Sequence, residues 1–263
     1  MLRIGRALLE RLSRGRTFVR RLPAEFGNLP VVVSPDAQLK YLKPGAEGFD
    51  PGLLAAALAL VQPGHHVWDV GANVGVFAIA AAGLSGTGHI VAIEADIWLA
   101  GLLRRTGRLA ENAGFTFSVV PAGAYSEAGV CEFEISRRGR ASNHLRAVSG
   151  SSQTGGVRET VVIATLPLDA LLAHFPPPDV VKIDVEGAEL HVLRGMSQVL
   201  REARPLIFCE VNSTERASVL ALMADAGYVP RNIATGEVDP NPGYNVLFVP
   251  REKGFQPVKT ERS

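Results

Sequence analysis

The sequence predicts a single α/β domain with a doubly wound, mostly parallel seven-stranded sheet, a C-terminal antiparallel hairpin and an inserted hairpin around residues 130–165. One observation is that short, continuously apolar segments alternate with longer helical patterns from residue 65 onwards. Such strands are typical of a parallel sheet that helices cover on both faces. The other is that the last two strand-like segments are joined by a Pro-, Gly- and Asn-containing turn with no room for a helix. These two strands are therefore expected to pair antiparallel.

The individual elements follow from local signals. A short strand at 29–33 precedes a helix with Asp50 as N-cap, Pro51 at its first position and Gly64 at its end. The expected core strands are HHVWDVG, GHIVAIEA, FTFSVVPAG, DVVKIDV and RPLIFCEV, followed by the hairpin strands YVPRN and GYNVLFVP. The expected helices are VGVFAIAAAGL, DIWLAGLLRRTGRLAENAG with the cap Asp96, EGAELHVLRGMSQVLREA, and TERASVLALMADAG with the cap Thr214. The period-2 segments GVCEFEI and ETVVIATLPL bracket a polar loop and form the inserted hairpin, with a mobile tip.

The N-terminal segment is strongly basic. Residues 1–22 hold seven arginines and one acid, Glu10, with apolar residues at helical spacing. The segment is a cap helix on the domain, a helix that contacts a membrane surface or an acidic partner, or a transit peptide. The expected organisation is a basic amphipathic helix in residues 1–28, the α/β domain in residues 29–250 and a disordered tail in residues 251–263.

Composition limits the class of protein. The formal net charge of +1 and the low aromatic content of 6% argue against a nucleic-acid partner. The chain has no apolar run long enough for a membrane span and no secretory signal, and Cys131 and Cys209 lie in apolar segments typical of free thiols. A cytoplasmic protein, peripheral to a membrane if residues 1–22 bind one, is expected. The excess of 22 arginines over 5 lysines suggests a bacterial source.

A glycine loop follows the first core strand. Gly71 and Gly75 are spaced G-x-x-x-G, which differs from the dinucleotide pattern G-x-G-x-x-G. Asp69 would repel a phosphate and attract a cationic or amine-bearing ligand. Glu94 ends the next strand, where a carboxylate can accept hydrogen bonds from both hydroxyls of a ribose. S-adenosylmethionine meets these demands, because it carries a sulfonium, an amino group and a ribose but no phosphate.

The motifs VWDVGANVGVFA, VAIEAD, VVPAGAYSEAG, VVKIDVEGAELHVLRGM and PLIFCEVN resemble those of the FkbM-type S-adenosylmethionine-dependent methyltransferases, over residues 45–230. The resemblance implies the class I methyltransferase fold, which is Rossmann-like, and methylation of hydroxyl oxygens on sugars, glycans or natural-product-like metabolites. It also implies roles for individual residues. Those expected to hold the methionine part of the cofactor are Asp69, Gly71, Ala72, Asn73 and Gly75, with Glu94 on the ribose and Ala122 and Ala124 beside the adenine.

The catalytic candidates lie after the fourth and fifth core strands. Asp184 and Glu210 end these strands, where either could take the proton of an acceptor hydroxyl, and His144 in the inserted segment is another candidate base. Alternatively, Asp184, Glu210 and Asn212 supply oxygen ligands for Mg²⁺. The remaining charged residues near these strands have structural interpretations. Glu186 and Glu189 fit the first turn of the following helix, and Lys182 is expected to be buried in an ion pair.

Two other classes stay open on the sequence alone. One is an NAD-dependent Rossmann oxidoreductase, which the glycine spacing and the terminal hairpin disfavour. The other is a non-catalytic scaffold that keeps the methyltransferase fold, against which the acids Asp69, Glu94 and Asp184 argue. The expected partner is a small-molecule or glycan hydroxyl substrate, with S-adenosylmethionine as the cofactor.

Overall fold

The computed structural model describes residues 12–110, 113–146 and 155–256. Predictions that concern residues 1–11, the tip of the inserted hairpin at 147–154 and the end of the tail at 257–263 lie outside these residues. Within them, no helix has the length and apolar character to cross a membrane.

The elements alternate along the chain as predicted. The strands are β1 (Phe18–Arg21), β2 (Pro30–Val33), β3 (Val67–Val70), β4 (His89–Ile93), β5 (Thr116–Val120), β6 (Gly123–Ala124), β7 (Gly129–Ser136), β8 (His144–Leu145), β9 (Val157–Leu166), β10 (Val180–Ile183), β11 (Leu206–Glu210), β12 (Tyr228–Arg231) and β13 (Asn245–Pro250). The α-helices are α1 (Pro51–Leu60), α2 (Val76–Ser85), α3 (Ile97–Leu109), α4 (Glu189–Arg194) and α5 (Arg216–Asp225). A π-helical turn, Val199–Ala203, follows α4.

In the described part of the chain, seven strands form the central sheet in the order β12-β13-β11-β10-β3-β4-β5. The five strands from β11 to β5 are parallel, and β13 runs antiparallel to both β11 and β12. The predicted doubly wound, mostly parallel sheet with a C-terminal antiparallel hairpin is therefore confirmed. From β3 the chain continues to β4 on one side, and from β10 it continues to β11 on the other side. The carboxyl ends of the adjacent strands β3 and β10 are therefore the topological switch point, where sheets of this kind bind ligands.

The core lies in two layers, one on each face of the sheet, because successive strand residues point to opposite faces. Val67 belongs to the apolar cluster that contains α1, α2 and α3. Its neighbour Trp68 belongs to the cluster that contains α4 and α5. Both side chains have no exposed surface, as expected for a strand covered on both faces.

The inserted hairpin is also confirmed, since β7 and β9 pair antiparallel from Gly129 to Ser136. The short strands β6 and β8 extend it to a four-stranded sheet. It follows β5 directly, and residues on it reach the ligand cavity described below.

Four details differ from the predictions. Residues 18–21 form β1, which pairs with β2, rather than the end of a helix, so the boundary placed at residue 28 falls between two paired strands. Helix α1 keeps the cap Asp50 but ends at Leu60, before Gly64. Thr214 does not cap α5, which begins at Arg216 without a side-chain cap. The segment after β10 is not one helix, because it divides into α4 and the π-helical turn.

Candidate active site

A cavity of about 830 Å³ opens at the carboxyl ends of β3, β4, β10 and β11. This volume lies in the range of roughly 300–1,000 Å³ that small-molecule sites occupy. Most of the predicted site residues line it: Asp69, Gly71, Ala72, Asn73, Glu94, Ala122, Ala124, Asp184 and Glu210. The parallel strands bring these residues together although they are up to 141 positions apart in the sequence.

The glycine loop fits tightly between β3 and its neighbours. Gly71 has a φ of +71°, and a Cβ on it would overlap the backbone carbonyl of Asp184. Gly75 has a φ of +88° and caps α2, and a Cβ there would lie 2.5 Å from Leu103 Cδ2. The backbone conformation favours glycine at both positions, and at Gly71 the neighbouring backbone also leaves no room for a Cβ. Gly75 shapes the loop from behind, since it is not among the residues in the cavity wall.

Lys182 joins β10 to the glycine loop. Its Nζ donates to the carbonyl oxygen of Gly71 at 2.9 Å and lies 3.3 Å from Asp69 Oδ1 and 3.5 Å from Asp184 Oδ2. The predicted buried ion pair is confirmed. Burial alone would lower the pKa of Lys182, but the carboxylates of Asp69 and Asp184 outweigh it and raise that pKa above its ordinary value.

Glu94 lies directly after β4 and is 7% exposed. Its Oε2 accepts from the backbone N–H of Asn73 at 2.7 Å, and its Oε1 accepts from that of Asp96 at 2.8 Å. Each carboxylate oxygen can accept a second hydrogen bond, so a ligand in the cavity could still donate to both. Burial raises the pKa of Glu94 to about 7.

Three carboxyl groups line the cavity where β10 and β11 end: Asp184, Glu186 and Glu210. Burial, followed by the charge of Asp184, raises the pKa of Glu210 to about 7 and that of Glu186 to about 8. The hydroxyl of Tyr244 favours the ionised form of Glu210 and works against this rise in pKa. Carboxyl groups with pKa values near neutrality are suited to proton transfer at physiological pH.

Glu186 and Glu189 do not share a helical turn as expected. Glu186 precedes α4 with a φ of +54°, a left-handed conformation that is uncommon for a residue other than glycine. Glu189 is the first residue of α4, and its Oε1 accepts from the backbone N–H groups of Val185 and Gly187. Glu189 therefore holds the turn together, while Glu186 joins the cavity wall.

Two further candidates lie elsewhere. His144 is not among the residues in the cavity wall, and its Nε2 lies 3.5 Å from Glu134 Oε2 on the neighbouring strand. Asn212 accepts a hydrogen bond from the backbone N–H of Glu215 at 2.9 Å, next to the start of α5. Among the described residues, no three His, Cys, Asp or Glu side chains are grouped as metal ligands. The magnesium alternative stays a prediction.

The cavity wall also contains residues that no sequence motif predicts. Gln38 and Lys40 reach the cavity from the segment before α1, and Arg140 reaches it from the inserted hairpin. Arg140 pairs with Asp36 and Asp96 and lies over the ring of Trp98, 4.7 Å from its centroid. These residues are distant from the glycine loop in sequence, so no local motif connects them with it.

The fold and the cavity define an α/β protein with a ligand site at the switch point of a mostly parallel sheet. A model of the methyltransferase FkbM domain matches residues 69–230, which is more than half of the chain, and the chain belongs to this family. The resemblance drawn from the motifs is thereby confirmed.

Hexuronic acid methyltransferase AglP of Haloferax volcanii is 30% identical to this chain over 166 residues, which make up 61% of this chain and 62% of AglP. The chain thus spans less than two-thirds of that protein. The crystal structure of a methyltransferase FkbM from Methylobacillus flagellatus KT has a TM-score of 0.46 and 19% identity, and covers 70% of this chain and 43% of that one. Fibrillarin from Aeropyrum pernix, crystallised with S-adenosyl-L-methionine, has a TM-score of 0.45 and 13% identity, and covers 90% of this chain and 85% of that one.

Proposed function

We propose that this protein is an S-adenosylmethionine-dependent methyltransferase that methylates a hydroxyl oxygen of a sugar, glycan or natural-product-like metabolite. Membership of the FkbM methyltransferase family supports the reaction class, and the name of the hexuronic acid methyltransferase relative supports a sugar acceptor. The observation that carries the proposal is that Glu94, with hydrogen-bonding capacity left on both oxygens, shares one cavity with Asp184 and Glu210.

The residues on the β3 and β4 side of the cavity fit the proposed cofactor. Glu94 would accept the two ribose hydroxyls, and the loop 71–75 would pack against the methionine part. Ala122 and Ala124 are each 5% exposed and leave space for a flat ring next to β5. The acidic wall also favours a ligand with a sulfonium charge. When bound, S-adenosylmethionine supplies an electrophilic methyl group.

The residues on the β10 and β11 side would handle the acceptor. An alcohol is a weak nucleophile, and a carboxylate within hydrogen-bond reach can orient it and take its proton. In the proposed reaction, Asp184 would take the proton of the acceptor hydroxyl. The oxygen of that hydroxyl would form the bond to the methyl carbon as the bond between this carbon and sulfur breaks. Lys182 would hold Asp184 in position, and Glu210 would be a second proton acceptor.

The proposal can be tested by calorimetry and a transfer assay. The purified chain is titrated with S-adenosylmethionine, with S-adenosylhomocysteine and with NAD⁺ as the control for the oxidoreductase alternative. We expect saturable heat with the first two ligands and none with NAD⁺. Radiolabelled methyl transfer to a panel of glycosides then tests the reaction. Binding of NAD⁺ but not of S-adenosylmethionine would refute the proposal, and cofactor binding without transfer to any hydroxyl would support the scaffold alternative.

A further inference from the structure

The charges in the cavity wall are unevenly balanced. Among the described residues, six carboxyl side chains and three cationic side chains line it, an excess of three carboxyl groups. The carboxyl groups are Asp50, Asp69, Glu94, Asp184, Glu186 and Glu210, and the cations are Lys40, Arg140 and Lys182. Burial raises the pKa values of Glu94 and Glu210 to about 7 and that of Glu186 to about 8, so this excess gives the cavity a negative potential as the pH rises to about 8 and above.

Each of the three cations pairs with carboxylates of this chain. Lys40 Nζ lies 3.3 Å from Asp50 Oδ2. Lys182 is shared by Asp69 and Asp184. Arg140 pairs with Asp36 and Asp96 and is 10% exposed. The positive charges in the wall are therefore already paired with carboxylates of the protein, rather than available to a carboxylate of a ligand.

Some oxygen atoms in the cavity wall can still accept hydrogen bonds from a ligand. Gln38 Oε1 is buried without a hydrogen-bond partner in the part of the chain that the structure describes. On the acceptor side of the cavity, the carboxyl groups of Asp184 and Glu210 also offer acceptor oxygens. A hydroxyl can donate to such oxygens, whereas a ligand carboxylate cannot donate and would be repelled by the nearby acids.

We infer that the acceptor of this protein is an uncharged polyhydroxyl compound, such as a neutral hexose unit, rather than a uronate. The inference rests on the proposed function, since it concerns the acceptor side of the same cavity. It separates this chain from the substrate class in the name of its hexuronic acid methyltransferase relative. The charge excess and the pairing of Lys40, Arg140 and Lys182 support it independently of the acceptor's detailed shape.

Matched pairs of glycosides test the inference. The methyl glycosides of glucose, galactose and mannose are compared with those of the corresponding uronic acids, which differ only at carbon 6. Affinity for the full chain with S-adenosylhomocysteine is measured by saturation-transfer NMR at pH 8, and methyl transfer is measured in parallel. We expect at least one neutral glycoside to bind, with a preference of at least about tenfold over its uronate.

A uronate that binds as tightly as its neutral partner overturns the inference, and so does a failure of all three neutral glycosides to bind. Failure of the proposed function is a different result, because it appears as an absence of cofactor binding before any glycoside is added.

A variant of the Lys40–Asp50 ion pair tests whether the cavity wall causes the preference for neutral glycosides over uronates. Asp50→Asn removes the partner of Lys40 and keeps an oxygen that can accept from Gly52 and Leu53 at the start of α1. Lys40 becomes available to a ligand carboxylate, so the preference for the neutral glycoside should shrink by up to about fivefold. Glu47→Gln is the control, because this exposed acid belongs to the same segment but not to the wall. Equal effects of the two variants would contradict the assignment to the cavity wall.

Discussion

Lys182 Nζ lies 3.3 Å from Asp69 Oδ1, and both side chains are buried at the centre of the sheet. The same ammonium group donates to the carbonyl oxygen of Gly71, so one side chain connects β10, β3 and the glycine loop. Because β3 and β10 are adjacent parallel strands in which Lys182 and Asp69 are register partners, the pair lies at the switch point itself. The floor of the cavity therefore contains the buried carboxylate of Asp69, whose charge Lys182 on the neighbouring strand compensates.

Replacing Lys182 by methionine should destabilise the fold strongly. The variant leaves the buried carboxylate of Asp69 without its cation, and removing one partner of a buried ion pair costs about 3–5 kcal/mol. Urea unfolding at pH 7 measures the loss. The double variant Lys182→Met with Asp69→Asn should recover part of it, because the uncompensated charge is removed. Lys43→Met at an exposed position is the control, and an equal effect of the two lysine variants would contradict the prediction.

The central sheet was predictable because its strands are continuously apolar and alternate with helical patterns. The basic N-terminal segment was not. The sequence predicts a helix at Phe18–Arg21, but this segment pairs with Pro30–Val33, and Arg20 donates to the carbonyl oxygen of Tyr41. The preference of so short a segment is overridden by a partner strand, which no local pattern reveals. At α5, the hydrogen bond from the Glu215 N–H goes to Asn212, two residues before the expected cap Thr214.

The candidate site likewise contains residues that the sequence predicts and residues that it does not. Asp69, Glu94 and Asp184 were identified because each lies at or near the end of a predicted strand, where parallel topology brings side chains together. Gln38 and Arg140 reach the cavity only through the packing of the N-terminal segment and the inserted hairpin. The sequence predicts a helical turn at Glu186, and the left-handed backbone conformation that places this residue in the cavity wall has no signal in the sequence.

Glu94→Ala should weaken binding of S-adenosylmethionine by on the order of 2–4 kcal/mol, through the loss of two charge-assisted hydrogen bonds to the ribose. Calorimetry gives the change in Kd, and circular dichroism verifies the fold, because the variant also removes the acceptor for Asn73 and Asp96 N–H groups. Glu132→Ala on the exposed part of the inserted hairpin is the matched control. Unchanged affinity in a folded Glu94 variant would remove this residue from the cofactor site.

The stability of the ligand-free protein should fall as the pH rises from about 5 to 8. Burial and the charge of Asp184 raise the pKa of Glu186 to about 8, so in this window the folded state retains a proton that the unfolded state has released. Each such group contributes a slope of up to about 1.4 kcal/mol per pH unit. Glu186→Gln should flatten the dependence measured by urea unfolding across the window. An unchanged slope in the variant would show that Glu186 does not titrate in this way.

Removing residues 1–11 should leave the affinity for S-adenosylmethionine within about twofold, since the contacts proposed for the cofactor come from the glycine loop and Glu94. The segment contains Arg3, Arg6 and Arg11, each worth about 1 kcal/mol of attraction to an anionic bilayer. Sedimentation with phosphatidylserine vesicles should therefore pull down the full chain at low salt and less of the truncated one. A collapse of cofactor affinity in the folded truncation would instead place the segment at the site.

Asp184→Asn should reduce methyl transfer by about 10² to 10⁴ while cofactor affinity changes little. The asparagine keeps the size of the side chain next to Lys182 but cannot accept the hydroxyl proton as a carboxylate does. Single-turnover measurements with a neutral glycoside separate this chemical effect from binding. Glu210→Gln, measured beside it, shows how much the second carboxyl group contributes. Near-native transfer by the Asp184 variant would remove this residue from the chemistry.

The same assay decides the magnesium alternative: loss of activity with a chelator and recovery with Mg²⁺ would identify Asp184 as a metal ligand, whereas unchanged activity with the chelator supports its role as the proton acceptor.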